Sequence, residues 1–105
     1  MVGEYEVVTL CGSTKFKDEF LKAQEFLTLT KCIVISVGLF GHADHKDITP
    51  EIKTMLDDMH KRKIDMADSI FVINKNDYIG ESTKSEIKYA KKHGKEVKYM
   101  FPHNE

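Results

Sequence analysis

The chain has 105 residues, enough for one hydrophobic core but not for a separate substrate domain, so a single domain over 1–105 is expected. Its 16 Lys+Arg and 17 Asp+Glu give a formal net charge of −1, which removes any global electrostatic case for nucleic-acid or membrane binding and points to a small-molecule partner. No apolar run is long enough to span a bilayer, and MVGEYEVV lacks a signal peptide's basic start and apolar stretch, so a cytoplasmic location is expected.

Glu6 to Cys11 (EVVTLC) is a β-branched run ended by Gly12 and reads as a buried strand. Ser13 or Thr14 can cap the helix that follows, whose core stripe is Phe16, Phe20, Ala23 and Leu27. Lys31 to Val37 (KCIVISV) reads as a second strand, apolar enough to be covered on both faces. Cys11 and Cys32 are isolated thiols in apolar contexts, outside any CxxC, and read as reduced core packing. Catalytic use of Cys11 has no sequence-adjacent base to support it.

Gly38 and Gly41 open a long loop, GLFGHADHKDI. Its His42, Asp44, His45 and Asp47 match no strong ligand spacing, so polar loop residues and no metal are expected. Thr49-Pro50-Glu51 starts a helix with a hydroxyl cap, a proline at the first position and an acid in the first turn. It should run to about Met66 with Ile52, Met55, Leu56, Met59 and Met66 as its core stripe. The same helix carries Asp57, Asp58 and His60. Asp58 and Arg62 stand at i and i+4, the spacing of an exposed ion pair, and His60 is either a packed histidine or an acid or donor reaching the crevice.

Ser69 to Ile73 (SIFVI) is the third strand, Asn74 to Glu81 its exit loop, and Ser82 to His93 the third helix, closed by Gly94. Lys84, Lys88, Lys91 and Lys92 read as its solvated face, and Lys95 to Met100 as the last strand. Strands alternating with helices imply right-handed βαβ units. The expected fold is therefore α/β, a small doubly wound, flavodoxin-like or Rossmann-like parallel sheet of about four strands with three main helices.

In such sheets ligands bind beyond the carboxyl ends of the strands, which selects the loops Gly12 to Lys15, Gly38 to Asp47 and Asn74 to Thr83. Candidate ligand contacts on them are Gly12, Ser13, Thr14, Lys15, Phe40, His42, Asn74, Gly80, Ser82 and Thr83. GxxxxGK[ST] and GxGxxG are both absent, which removes support for nucleoside triphosphate hydrolysis and nicotinamide-dependent redox chemistry. A receiver domain would need an acidic cluster where this chain has Cys11-Gly12-Ser13.

The segment NDYIGESTKSEIKYA puts a glycine, two hydroxyls and a carboxylate at the mouth of a helix. Its backbone N–H groups with Ser82 and Thr83 could hold a phosphate or a sugar, with Glu86 one turn inside facing the same ligand. Thr83-Lys84-Ser85-Glu86 equally fits a capping box, in which Glu86 returns to the cap N–H.

TLCGSTKF, MHKRKIDMADSIFVIN and IGESTKSEIKYAKKHGKEV, in that order, resemble the nucleoside 2-deoxyribosyltransferase-like superfamily, which includes the 2′-deoxynucleoside 5′-monophosphate N-glycosidases. The resemblance covers roughly Val7 to Tyr99 and is nearest to a small, mostly uncharacterised branch. It implies hydrolysis or transfer at the N-glycosidic bond of a nucleoside or its 5′-monophosphate, without a cofactor. Glu86 would be the nucleophile; Gly12, Ser13, Thr14, Gly80, Ser82 and Thr83 would hold the sugar and any 5′-phosphate; and Asp58 or His60 would protonate the leaving base. Lys88 stands where the family commonly has glycine and is expected to add bulk and charge beside the site. The alternative is a non-catalytic nucleotide-binding domain using the same loops. A crevice on so small a domain is shallow, so a homodimer or higher homo-oligomer is expected.

Overall fold

The computed structural model describes residues 1–103. Its elements are β1 (Glu6–Gly12), α1 (Lys17–Leu29), β2 (Cys32–Ile35), α2 (Pro50–Asp65), β3 (Ser69–Ile73), α3 (Glu81–Lys92) and β4 (Glu96–Tyr99). All strand pairings are parallel and the order is β2-β1-β3-β4, the α/β arrangement expected. The chain steps from β1 outward to β2 and then returns to β3 on the other side of β1. The order in which strands are added therefore reverses between the parallel neighbours β1 and β3, which opens a crevice at their carboxyl ends.

β1 and β3 form the centre of the sheet because their side chains are apolar on both faces. Val8, Leu10 and Ile73 pack with Phe20, Ala23 and Leu27 of α1. Cys11, Ile70 and Val72 pack on the opposite face with Ile64 of α2 and Ala90 of α3. β2 is shorter than its apolar run suggested and lies at the sheet edge; Ile33 is exposed, so the expectation of a strand covered on both faces does not hold there. Gly12 pairs with Ile73 at the end of β1, with φ +152°, and a Cβ on it would stand 2.9 Å from the Ile73 carbonyl oxygen. The residue is glycine because β3 passes too close for a side chain.

Helix entrances carry two corrections. Ser13 and Thr14 do not cap α1; Phe16 is the cap residue and makes no side-chain cap bond. Thr14 Oγ1 instead accepts the His42 backbone N–H at 3.2 Å, tying the first loop to the second. α2 starts as expected, with Thr49 Oγ1 accepting from Ile52 N and Pro50 in the first turn. Its methionine stripe is not core: α2 is held by buried His60 and Ile64, while Ile52, Met55, Met59 and Met66 are exposed.

α3 is capped by Gly80, with Lys84 N donating to the Gly80 carbonyl at 2.9 Å. It ends in a Schellman turn at Gly94 (φ 72°), where Lys95 N reaches Ala90 O and Gly94 N reaches Lys91 O. Lys84, Lys88, Lys91 and Lys92 are exposed, as expected of a solvated face. Among the described residues no helix is long and apolar enough to cross a membrane.

Candidate functional site

A pocket of about 480 Å³ opens at the carboxyl edge of the sheet, where the three selected loops converge on α2. Gly12, Ser13 and Thr14 line one side; Gly41, His42, Lys46 and Ile48 of the long loop line another. The N-terminal turn of α3 supplies Gly80, Glu81, Ser82 and Thr83, which sets the positive end of that helix's dipole at the cavity wall. α2 forms the remaining wall with Lys53, Leu56, Asp57, His60 and Lys63.

Because Gly80 is the cap residue, Thr83 occupies the third helical position and Glu86 lies one turn deeper. The capping-box reading fails on this geometry. Glu86 is 8% exposed and lines the pocket instead of returning to the helix end. Its Oε1 lies 3.9 Å from His60 Nε2, and its carboxyl also takes a hydrogen bond from the Cys11 thiol. Burial, then the charge of Asp57, pushes Glu86 up to about 7, against smaller opposing effects of the thiol, Lys61 and Lys53. Near neutral pH this carboxyl exists in both protonation states.

His60 is 7% exposed, and its Nε2 stands 3.4 Å from Cys11 Sγ. Burial and the nearby Lys63 charge pull its value down to about 4, although the Leu10 backbone carbonyl accepts from the ring and favours the charged form. The ring is thus neutral at physiological pH, which removes it as a proton donor. Burial and the Glu86 charge raise Cys11 well above the usual thiol range, so it stays protonated and is no thiolate nucleophile.

The cationic side of the pocket is built by lysines. Lys53 Nζ bridges Asp57 Oδ2 at 2.9 Å and Ser82 Oγ at 3.0 Å, joining α2 to the mouth of α3. Lys63 Nζ donates to the Ser36 carbonyl at 2.8 Å, and burial lowers its value despite the opposing Glu86 charge. With Lys46 and the α3 N-terminus they line the same cavity, a setting suited to an anion.

Of the residues chosen from sequence, Gly12, Ser13, Thr14, His42, His60, Gly80, Ser82, Thr83 and Glu86 meet in this pocket. Four do not. Asp58 is exposed and lies outside the lining; Asp57, one residue earlier, turns inward. Lys15 lies with Nζ 3.6 Å from the Tyr78 ring centroid, and Phe40 packs edge-on against Phe20 at 5.4 Å. Asn74 is fully buried and committed to the backbone after β4, donating to Phe101 O at 3.0 Å and accepting from Phe101 N at 2.9 Å. Lys88 is exposed and does not line the cavity, so the bulk expected beside the site is absent.

Sequence reasoning missed Asp57, Lys53 and Lys63 as pocket residues; it placed Cys11 in the core, as observed, without its contacts to His60 and Glu86. A signal existed for the first three: Lys53, Leu56, Asp57, His60 and Lys63 recur at i, i+3, i+4, i+7 and i+10, one face of a helix, but that face is polar. Of the loop residues His42, Asp44, His45 and Asp47, His42 lines the pocket and Asp44 is paired to Lys17 at 2.9 Å. No protein-family model and no curated protein matches the chain.

Proposed function

We propose that this protein hydrolyses or transfers at the N-glycosidic bond of a nucleoside or nucleoside 5′-monophosphate, with Glu86 as nucleophile, as in the nucleoside 2-deoxyribosyltransferase-like superfamily it resembles. The observation that carries the reading is the position of Glu86: buried on the floor of a nucleotide-sized pocket, beyond the helix mouth and free of any capping role. The ionised carboxylate attacks the anomeric carbon as the base leaves, giving a glycosyl ester that water or a second base resolves with retention. Asp57, the α2 carboxyl that lines the pocket, takes the second catalytic position from exposed Asp58 and neutral His60, and serves the departing base. The α3 amides, Ser82 and the lysines hold a 5′-phosphate where one is present.

One observation favours a binding domain as the second reading. The cationic wall and helix mouth suit a nucleotide, while the imidazole beside Glu86 is held uncharged and supplies no proton. The exposed strip Ile52, Met55 and Met59, whose last member also lines the pocket, is where the expected second subunit would sit.

The test is incubation with ribo- and deoxyribonucleosides and their 5′-monophosphates, with and without a second free base, scoring released or exchanged base. Turnover by the wild type that is lost in Glu86→Gln supports the nucleophile. Equal behaviour of the two removes it, and a monophosphate that raises Tm without turnover transfers the lead to the binding domain.

A further inference from the structure

We propose that Cys11, His60 and Glu86 form a three-ligand site for a zinc-class divalent cation, with the fourth coordination position opening into the pocket. One donor atom from each lies within 4.8 Å of the other two, and all three residues are buried. Tetrahedral zinc, with bonds of about 2.3 Å to sulfur and about 2.0–2.1 Å to nitrogen or oxygen, sets sulfur and nitrogen roughly 3.5 Å apart and nitrogen and oxygen roughly 3.3 Å apart. Cys11 Sγ and His60 Nε2 already stand at 3.4 Å. His60 Nε2 and Glu86 Oε1 stand at 3.9 Å, roughly half an ångström beyond that spacing, and a Glu86 oxygen lies within 4.8 Å of Cys11 Sγ, so the carboxylate is the donor that must swing toward the other two.

The three donors come from β1, α2 and α3, elements joined through one core cluster, so the site is largely formed before any cation arrives. The Leu10 carbonyl accepts from the His60 ring, which orients the imidazole and leaves the other nitrogen as a lone-pair donor toward Cys11 and Glu86. A thiolate, an imidazole and a carboxylate together suit zinc and exclude magnesium and calcium, which require oxygen ligands. His60 and Glu86 line the cavity while Cys11 lies behind them, so a cation reaches the site from the pocket and keeps its free position on that side. On binding, the Cys11 S–H bond breaks, a sulfur–metal bond forms and the proton passes to solvent.

The site does not depend on the glycosidase reading; because the two share Glu86 they are alternative states of one pocket, the metal-free carboxylate being the one able to attack a sugar. The test uses the full chain under reducing conditions after chelator treatment, titrated with Co²⁺ as a spectroscopic stand-in for zinc. The expected result is one equivalent bound with a thiolate-to-cobalt charge-transfer band that Zn²⁺ then abolishes. The chain has two cysteines, so Cys32→Ser leaves Cys11 as the sole thiol and must keep the band. Cys11→Ser must lose it, and His60→Gln and Glu86→Gln must each weaken binding by more than about tenfold. Absence of the band in folded wild type, or its loss in Cys32→Ser, overturns the site. The readout requires no turnover, so a catalytically silent chain still decides the question.

Discussion

Replacing Glu86 by glutamine should change not only how stable the protein is but how its stability follows pH. Moving the carboxyl from 4.5 to about 7 costs the folded chain about 3 kcal/mol once the group is ionised, at about 1.4 kcal/mol per pH unit. Between those values the folded chain holds a proton that the unfolded chain releases, so this group makes stability fall as pH rises. His60 works the other way. Its value drops from 6.5 to about 4, so between those limits the unfolded chain takes up a proton that the folded chain refuses, and stability falls as pH falls, again by about 3 kcal/mol. In the wild type the two slopes oppose each other across the shared window and largely cancel.

Each variant therefore unmasks the other residue. In urea unfolding followed by circular dichroism, the stability of Glu86→Gln relative to wild type should rise by about 3 kcal/mol from about pH 4.5 to about pH 8. That of His60→Gln relative to wild type should fall by a similar amount from about pH 4 to about pH 7. Lost packing shifts each curve by a constant and leaves its slope alone. Difference curves flat to within about 1 kcal/mol would refute the opposed burial of the two groups.

Three further outcomes follow from the same geometry. Asp57→Asn removes the largest electrostatic contribution to the raised Glu86 value, so the Glu86 titration seen by NMR should move to lower pH, while Asp58→Asn leaves it in place. Asn74→Ala breaks both hydrogen bonds to Phe101 and should lower unfolding free energy by about 2 kcal/mol, with no loss of nucleotide affinity in calorimetry. Gly12→Ala forces a Cβ to 2.9 Å from the Ile73 carbonyl at φ +152° and should lower stability by about 2 kcal/mol or more in thermal denaturation.

The fold was legible wherever local chemistry and global burial agree. β1 and β3 are apolar on both faces and central, Thr49-Pro50-Glu51 is a helix start with two mechanisms behind it, and Gly94 sits at a left-handed turn. β2 was harder because an apolar run does not reveal whether its strand is central or at an edge. α2 misled for a related reason. Its most regular apolar stripe is exposed, and the face that packs inward is led by a histidine and carries an aspartate and two lysines. Hydropathy periodicity finds the face that prefers burial; a face buried to build a pocket carries polar groups that this measure scores as solvent.

The same limit explains Glu86. A threonine three residues before a glutamate satisfies the capping pattern, but glycine is also an acceptable cap residue, and Gly80 stands three residues before that threonine. The choice is made outside the helix. β3 leaves the sheet through a 3₁₀ turn at Lys75–Asp77, where Asn76 and Asp77 take φ values of 54° and 57°. That turn delivers Gly80 to the cap, which places Thr83 and Glu86 on the buried side of α3, three residues apart and both facing the sheet edge. Had the helix begun at Thr83, Glu86 would lie in the first turn, able to satisfy the cap in water. Beginning one turn earlier, the helix carries the carboxyl inward to His60 and Cys11, where burial raises it to about 7. The chemistry of the pocket thus depends on how the short loop before α3 sets the start of that helix.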